Sequence, residues 1–274
     1  MKNDRLTTTF TQARTRRSAV FCPFITAGYP RLELLKPFLR ALQDAGAGCI
    51  ELGIPFSDPI ADGPVIQESY RVALQNGATV DQILSVVAEV RREGFDLPIM
   101  AMVSFSVIFR HGTKEFAAAC AQAGIDGLIL PDVALEEAPE IIQSVTSAGL
   151  KSSLLISPTT PPERQAQIAK LCTGFVYYLS VSGITGERTA LPADMIKNVT
   201  SIRAHTNQPI CVGFGISTPE QVRSVAQIAD GIIVGSAIIR CITENSKNIS
   251  SDPVAAVKVL VQSLSGGLNS REKD

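Results

Sequence analysis

The chain has 274 residues, 45% of them hydrophobic and 19% charged, far from the low-hydrophobicity, high-charge compositions that fail to collapse. Its 25 basic and 26 acidic residues leave a formal net charge of −1 with no run of one sign, which excludes the electrostatic footprint of a nucleic-acid or membrane-surface binder. No apolar run reaches the roughly 18 residues of a membrane span, and residues 1–20 lack the apolar core of a signal peptide, so the expected location is the cytoplasm.

In chain order, Leu6 and Phe10 stand four apart in a polar stretch and predict a short helix within residues 1–19, placed to plug the bottom of whatever sheet follows. Short Val-, Ile- and Leu-rich runs then alternate with longer segments of helical period. The runs are Val20 to Thr26, Cys49 to Gly53, Pro98 to Val103, Gly127 to Pro131, Ser152 to Ile156, Phe175 to Ser180, Pro209 to Gly213 and Gly231 to Val234. Helices are expected near 32–45, 65–93 in two pieces, 113–123, 136–148, 162–172, 192–204, 218–228 and 253–264. The helix-to-strand joint recurs as Asp44-Ala45-Gly46, Gln122-Ala123-Gly124 and Ser147-Ala148-Gly149, with glycine closing the helix in each. Eight β/α units without a linker predict one α/β domain over residues 1–274, a (β/α)8 or TIM barrel with an extra N-terminal helix. An open doubly wound sheet has the same periodicity. Residues 269–274 read as a solvated tail.

Cys22, Cys49, Cys120, Cys172, Cys211 and Cys241 are widely spaced with no C-x-x-C pair, and His111 and His205 are the only histidines. Reduced, packed thiols and no metal site are expected.

In a barrel of this kind the chemistry sits at the carboxyl ends of the strands. No lysine stands at those tips, which disfavours Schiff-base chemistry. Glu51 is an ionisable side chain inside an apolar strand near its tip. Burial there raises a carboxyl pKa toward general acid–base use, although an inward acid held by an arginine or lysine would look the same. The loop Ile54-Pro55-Phe56-Ser57-Asp58-Pro59-Ile60-Ala61-Asp62-Gly63-Pro64 is stiffened by three prolines and carries Asp62. Asp62 is either a turn residue or a second, more acidic carboxylate that stays ionised beside Glu51. Gly213-Phe214-Gly215-Ile216-Ser217 and Val234-Gly235-Ser236-Ala237-Ile238 end the seventh and eighth strands and lead into helices, an arrangement suited to phosphate as well as to plain turns. The segment Ser180 to Arg188 is a lid candidate or a surface loop.

These stretches, with Pro23-Phe24-Ile25-Thr26-Ala27-Gly28-Tyr29-Pro30 and above all Glu51 to Pro64, resemble the tryptophan synthase alpha subunit family over nearly the whole chain. That resemblance implies retro-aldol cleavage of indole-3-glycerol phosphate to indole and glyceraldehyde 3-phosphate, with Glu51 as acid/base and Asp62 at the indole nitrogen. It further implies Thr185 as the lid residue, Gly186, Gly215, Gly235 and Ser236 at the phosphate, and Phe24, Met102, Ile156, Tyr177 and Phe214 around the indole. It implies no cofactor in this chain, with pyridoxal phosphate in a beta subunit partner of an α2β2 heterotetramer that receives the indole. The partner surface is expected near Pro55 to Asp58 and the loop after the third strand. One departure stands in Met102-Val103-Ser104-Phe105-Ser106-Val107, where Ser104 replaces the tyrosine usual in the family and removes a large pocket wall. A chain that only activates its beta partner, or a lyase that releases free indole, would carry much of the same resemblance.

Overall fold

The computed structural model describes residues 4–60, 62–180, 193–213, 215–248 and 250–270. In chain order the elements are α1 (Arg5–Thr15), β1 (Val20–Thr26), α2 (Leu35–Asp44), β2 (Ile50–Gly53), α3 (Pro64–Gln75), α4 (Val80–Arg92), β3 (Ile99–Met102), α5 (Phe105–His111), α6 (Thr113–Ala123) and β4 (Gly127–Leu130). They continue with α7 (Ala138–Ser147), β5 (Lys151–Ile156), α8 (Pro162–Leu171), β6 (Val176–Leu179), α9 (Ala193–Arg203), β7 (Ile210–Gly213), α10 (Pro219–Ala226), β8 (Gly231–Val234), α11 (Ser236–Ser246) and α12 (Pro253–Gly266).

All eight expected strands form, and each pairs in parallel with its neighbours. Closure comes from β1 against β8, with Val20 opposite Gly231 and Pro23 opposite Val234, which eliminates the open sheet. Most strand residues are buried on both faces, as expected where one face meets the barrel interior and the other the helices. Gly46, Gly124 and Gly149 at the recurring joints all have positive φ, the backbone state that lets the chain leave a helix and turn into the next strand.

Helix α1 lies across the bottom of the barrel. Its Phe10 ring meets Phe175 at 6.1 Å between centroids, and Phe175 meets Tyr177 at 6.4 Å, so an aromatic column runs from the plug to the upper part of the barrel. Arg5 pairs with Asp96 at 2.8 Å and Asp126 at 2.9 Å, and the other Asp126 oxygen takes Arg91 at 2.7 Å and the Ile99 N–H at 2.9 Å. All six cysteines are free. Among the described residues no helix is long and apolar enough to cross a membrane.

Two local expectations change. Helix α5, absent from the expected elements, starts at Ser104, whose Oγ accepts from the Ser106 N–H at 3.2 Å, and stops at Gly112 with φ of 85°. Its seven residues are too few for helical period to show, but the Ser cap, the basic Arg110-His111 last turn and the closing glycine were readable. At the other end, Gly267–Ser270 forms a 3-10 turn that tightens the end of α12, so the chain stays regular past the expected start of the tail, and residues 271–274 lie outside the described residues.

Candidate active site

The strand tips of β1, β2, β3, β6 and β8 surround a cleft of about 530 Å³ when the open space at its mouth is included. Glu51 forms part of its floor. Gly53, two residues on, explains how a carboxyl fits there: a Cβ at that position would lie 2.5 Å from Phe24 Cζ and 2.7 Å from Tyr70 Oη, so only glycine lets those two rings close around the end of β2.

Glu51 is 2% exposed, and neither carboxylate oxygen has a hydrogen-bond partner among the described residues. No described arginine or lysine therefore holds it for structure. Burial, followed by the negative charge of Asp62, pushes its carboxyl well above the usual range, because the charged form is the one that burial and a neighbouring anion disfavour. Asp62 is half-buried on the loop between β2 and α3. Burial, then the Asp132 carboxylate, raises it to about 6. Both acids are raised, Asp62 to about 6 and the more deeply buried Glu51 well above its ordinary value, where a lower Asp62 beside a raised Glu51 was expected.

The loop is held from α3. The Gln67 amide donates to the Pro59 carbonyl at 3.2 Å and the Asp62 carbonyl at 2.9 Å, and the Asp62 N–H reaches Pro59 O at 3.4 Å. Thr26 at the tip of β1 bonds Ser69 of α3 at 2.6 Å, which fixes the helix over the same end of the barrel.

Phe24, Met102 and Tyr177 line the cleft as the resemblance implies. From β5 the wall residue is Leu155, whereas Ile156 is fully buried on the opposite side of the pleat. The register gives the reason: Leu155 lies opposite cleft-facing Tyr177, and Ile156 opposite Tyr178, whose hydroxyl accepts from Asn198 of α9 outside the barrel. Counting by twos along the strands would also have found Leu179 and Ile233, which complete the apolar wall. Gly215, Gly235 and Ser236 all border the cleft. Gly215 has φ of 76°, and Gly235 caps α11, whose first turn presents free backbone N–H groups without a side-chain cap. No lysine or arginine borders the cleft among the described residues. Thr185, Gly186 and Phe214 lie outside the described residues.

Ser104 does not simply vacate a wall. Its hydroxyl donates to Asp132 at 2.5 Å while it caps α5, and the Phe105 N–H reaches the other Asp132 oxygen at 2.8 Å. Among the described residues no group of three His, Cys, Asp or Glu side chains is placed to hold a metal ion.

A cleft with one buried carboxyl whose ionisation is disfavoured, a second and less buried carboxyl, apolar walls and a helix N-terminus suits proton transfer to an aromatic, phosphorylated ligand. The family model described as "Tryptophan synthase alpha chain" matches residues 10–268. The chain belongs to the tryptophan synthase alpha chain family. The alpha chain of Rhodopirellula baltica is 41% identical over 250 residues, covering 89% of this chain and 90% of that one. The tryptophan synthase alpha subunit of Legionella pneumophila superposes with a TM-score of 0.89 at 35% identity, covering 97% and 98% of the two chains. The Mycobacterium tuberculosis tryptophan synthase gives 0.86 at 31% identity, covering 96% and 98%. Tryptophan synthase alpha chains are lyases that cleave indole-3-glycerol phosphate during tryptophan biosynthesis and pass the indole to a beta subunit, which carries the pyridoxal phosphate.

Proposed function

We propose that Glu51 and Asp62 are the acid–base pair of this lyase and that the N-terminus of α11 holds the substrate phosphate. The observation that carries the reading is the Glu51 carboxyl, buried and without a hydrogen-bond partner among the described residues. A carboxyl whose ionisation is disfavoured in this way is suited to hold a proton and give it to C3 of the indole ring. As C3 is protonated, positive charge develops on the ring nitrogen, and the ionised Asp62 accepts the N–H and stabilises that charge. Loss of the proton from the hydroxyl on the carbon attached to C3 then forms the aldehyde. The C–C bond breaks, and its electron pair returns to the ring and restores aromaticity. Glu51, now a carboxylate, is the base that takes this proton.

Phe24, Met102, Leu155 and Tyr177 clasp the ring, and Gly215, Gly235 and Ser236 bind the phosphate through backbone N–H groups and the hydroxyl. The same reading assigns Gly186 to the phosphate, Phe214 to the ring and Thr185 to the lid that meets Asp62. It needs no cofactor in this chain, and its setting is the cytoplasm. The beta subunit docks at the mouth, in an α2β2 assembly. Two large apolar side chains support that face: Ile60 on the loop after β2 is 84% exposed and Phe109 on α5 is 73% exposed.

Glu51→Gln preserves shape and removes the titratable proton. It is expected to fold and to lower indole formation at least 100-fold, followed by the appearance of glyceraldehyde 3-phosphate. Retention of a tenth of the parent rate would remove Glu51 from the acid–base role.

A further inference from the structure

Beside the substrate cleft lies a second, smaller chamber, about 290 Å³ with its open space included and roomy enough inside for no more than one small group, and the two share Asp62, Met102 and Pro131 in their walls. Ile54, Tyr70 and Val103, all buried, form rigid sides on or next to β2, β3 and α3. Ser104 stands between them with its hydroxyl tied to Asp132 and to the Ser106 N–H, so the smallest side chain of that wall also points its polar atom into fixed partners. What remains is a mostly apolar recess that adjoins the cleft at Asp62, Met102 and Pro131 and is bordered by two carboxylates.

We propose that this chamber is a specificity pocket for the benzo ring of the substrate: it takes a small uncharged substituent on C6 or C7, and Ser104 is the residue that keeps it open. The inference rests on the reading that Asp62 holds the ring nitrogen. C7 is the benzo-ring carbon nearest that nitrogen, so an N–H anchored on Asp62 turns the C6–C7 edge toward the wall that the two cavities share. C4 lies on the side of the glycerol phosphate chain, away from it. Apolar walls favour methyl or halogen, and Asp62 with Asp132 repels an anionic substituent.

The reverse condensation of glyceraldehyde 3-phosphate with indole, 4-methylindole, 6-methylindole and 7-methylindole by the full chain tests this, read as kcat/KM relative to indole. One methyl group in an apolar pocket discriminates by roughly 10- to 200-fold. At least one of the 6- and 7-methyl compounds is expected to match or exceed indole and to exceed 4-methylindole at least tenfold. Ser104→Tyr, which fills the chamber, is expected to lower the preferred methylindole-to-indole ratio at least tenfold. Ser104→Thr, which keeps the capping hydroxyl, is expected to lower it by a smaller step and covers the case in which the tyrosine variant does not fold. Condensation of indole with no preference for the 6- or 7-methyl compounds over the 4-methyl one, or a ratio unmoved in the folded variants, overturns this inference alone. Failure to condense indole itself overturns the proposed function, and the pocket with it.

Discussion

A buried carboxyl is costly to ionise, more so where no described residue donates to it as at Glu51, and the electrostatics of Glu51 and Asp62 follow from the cost of burial. Folding raises Asp62 from 3.8 to about 6, so between those pH values the folded chain holds a proton that the unfolded chain has released. Stability from this group therefore falls as pH rises through that window, and Glu51 adds a loss of the same sign from 4.5 upward. Asp62→Asn is expected to lose catalysis yet to melt higher than the parent at pH 7, by about 1–3 kcal/mol, which thermal unfolding reads directly. The pH profile of kcat/KM should rise through about pH 6 as Asp62 ionises. Asp132→Asn removes the neighbouring negative charge and should move this acidic limb to lower pH. An unmoved limb would show that burial alone sets the Asp62 carboxyl.

At the scale of elements, the site depends on short connections rather than on the strands themselves. The loop between β2 and α3 is stiffened by Pro55, Pro59 and Pro64, but its placement over Glu51 comes from the Gln67 amide that grips two of its carbonyls. Gln67 does not touch the reacting atoms in this account and acts through Asp62. Gln67→Ala is expected to lower kcat by about tenfold, to shift the acidic limb of the pH profile and to leave binding of inorganic phosphate unchanged. Gln67→Glu, which keeps the length but not the donors, should not rescue it, and parent-like kinetics in the alanine variant would show that the prolines suffice. Helix α5 has a comparable dependence: its cap, Ser104, is tied to Asp132, so one short helix links the third strand tip to the fourth and bears on the charge next to Asp62.

Across the whole molecule the two ends of the barrel divide their tasks. The top carries the carboxylates, the Gly-rich tips and the exposed Ile60 and Phe109, while the bottom is closed by α1 and by the Asp126 network. Arg91 and Asp126 are both nearly buried, and burial lowers the Arg91 guanidinium to about 10 despite its partner. Asp126→Asn leaves that cation uncompensated, and a loss of about 3–5 kcal/mol is expected in urea unfolding. Below the shifted midpoint kcat should change little, because the network lies at the end away from the cleft. At the top, Phe109→Asp puts a charge on the proposed docking face. It should weaken co-elution with a beta subunit in gel filtration while sparing the basal lyase rate, and undiminished co-elution would move the partner elsewhere.

The alternation of Val- and Ile-rich runs with helical segments, the Gly-closed joints and the long Glu51 to Pro64 block made the barrel, its N-terminal plug and the two carboxylates legible from the chain alone. Those features are local: period, turn chemistry and residue type depend on neighbours a few positions away. Helix α5 is too short for its period to show, and the exchange of Ile156 for Leu155 on the cleft wall turns on a one-residue pleat that register sets. That Glu51 has no partner among the described residues, that Asp132 stands close enough to raise Asp62, and that Ser104 caps a helix beside a second chamber were decided only when distant strands closed into a barrel. Burial and electrostatic coupling are properties of the space between chain segments, and a one-dimensional pattern holds the groups but not the distances between them.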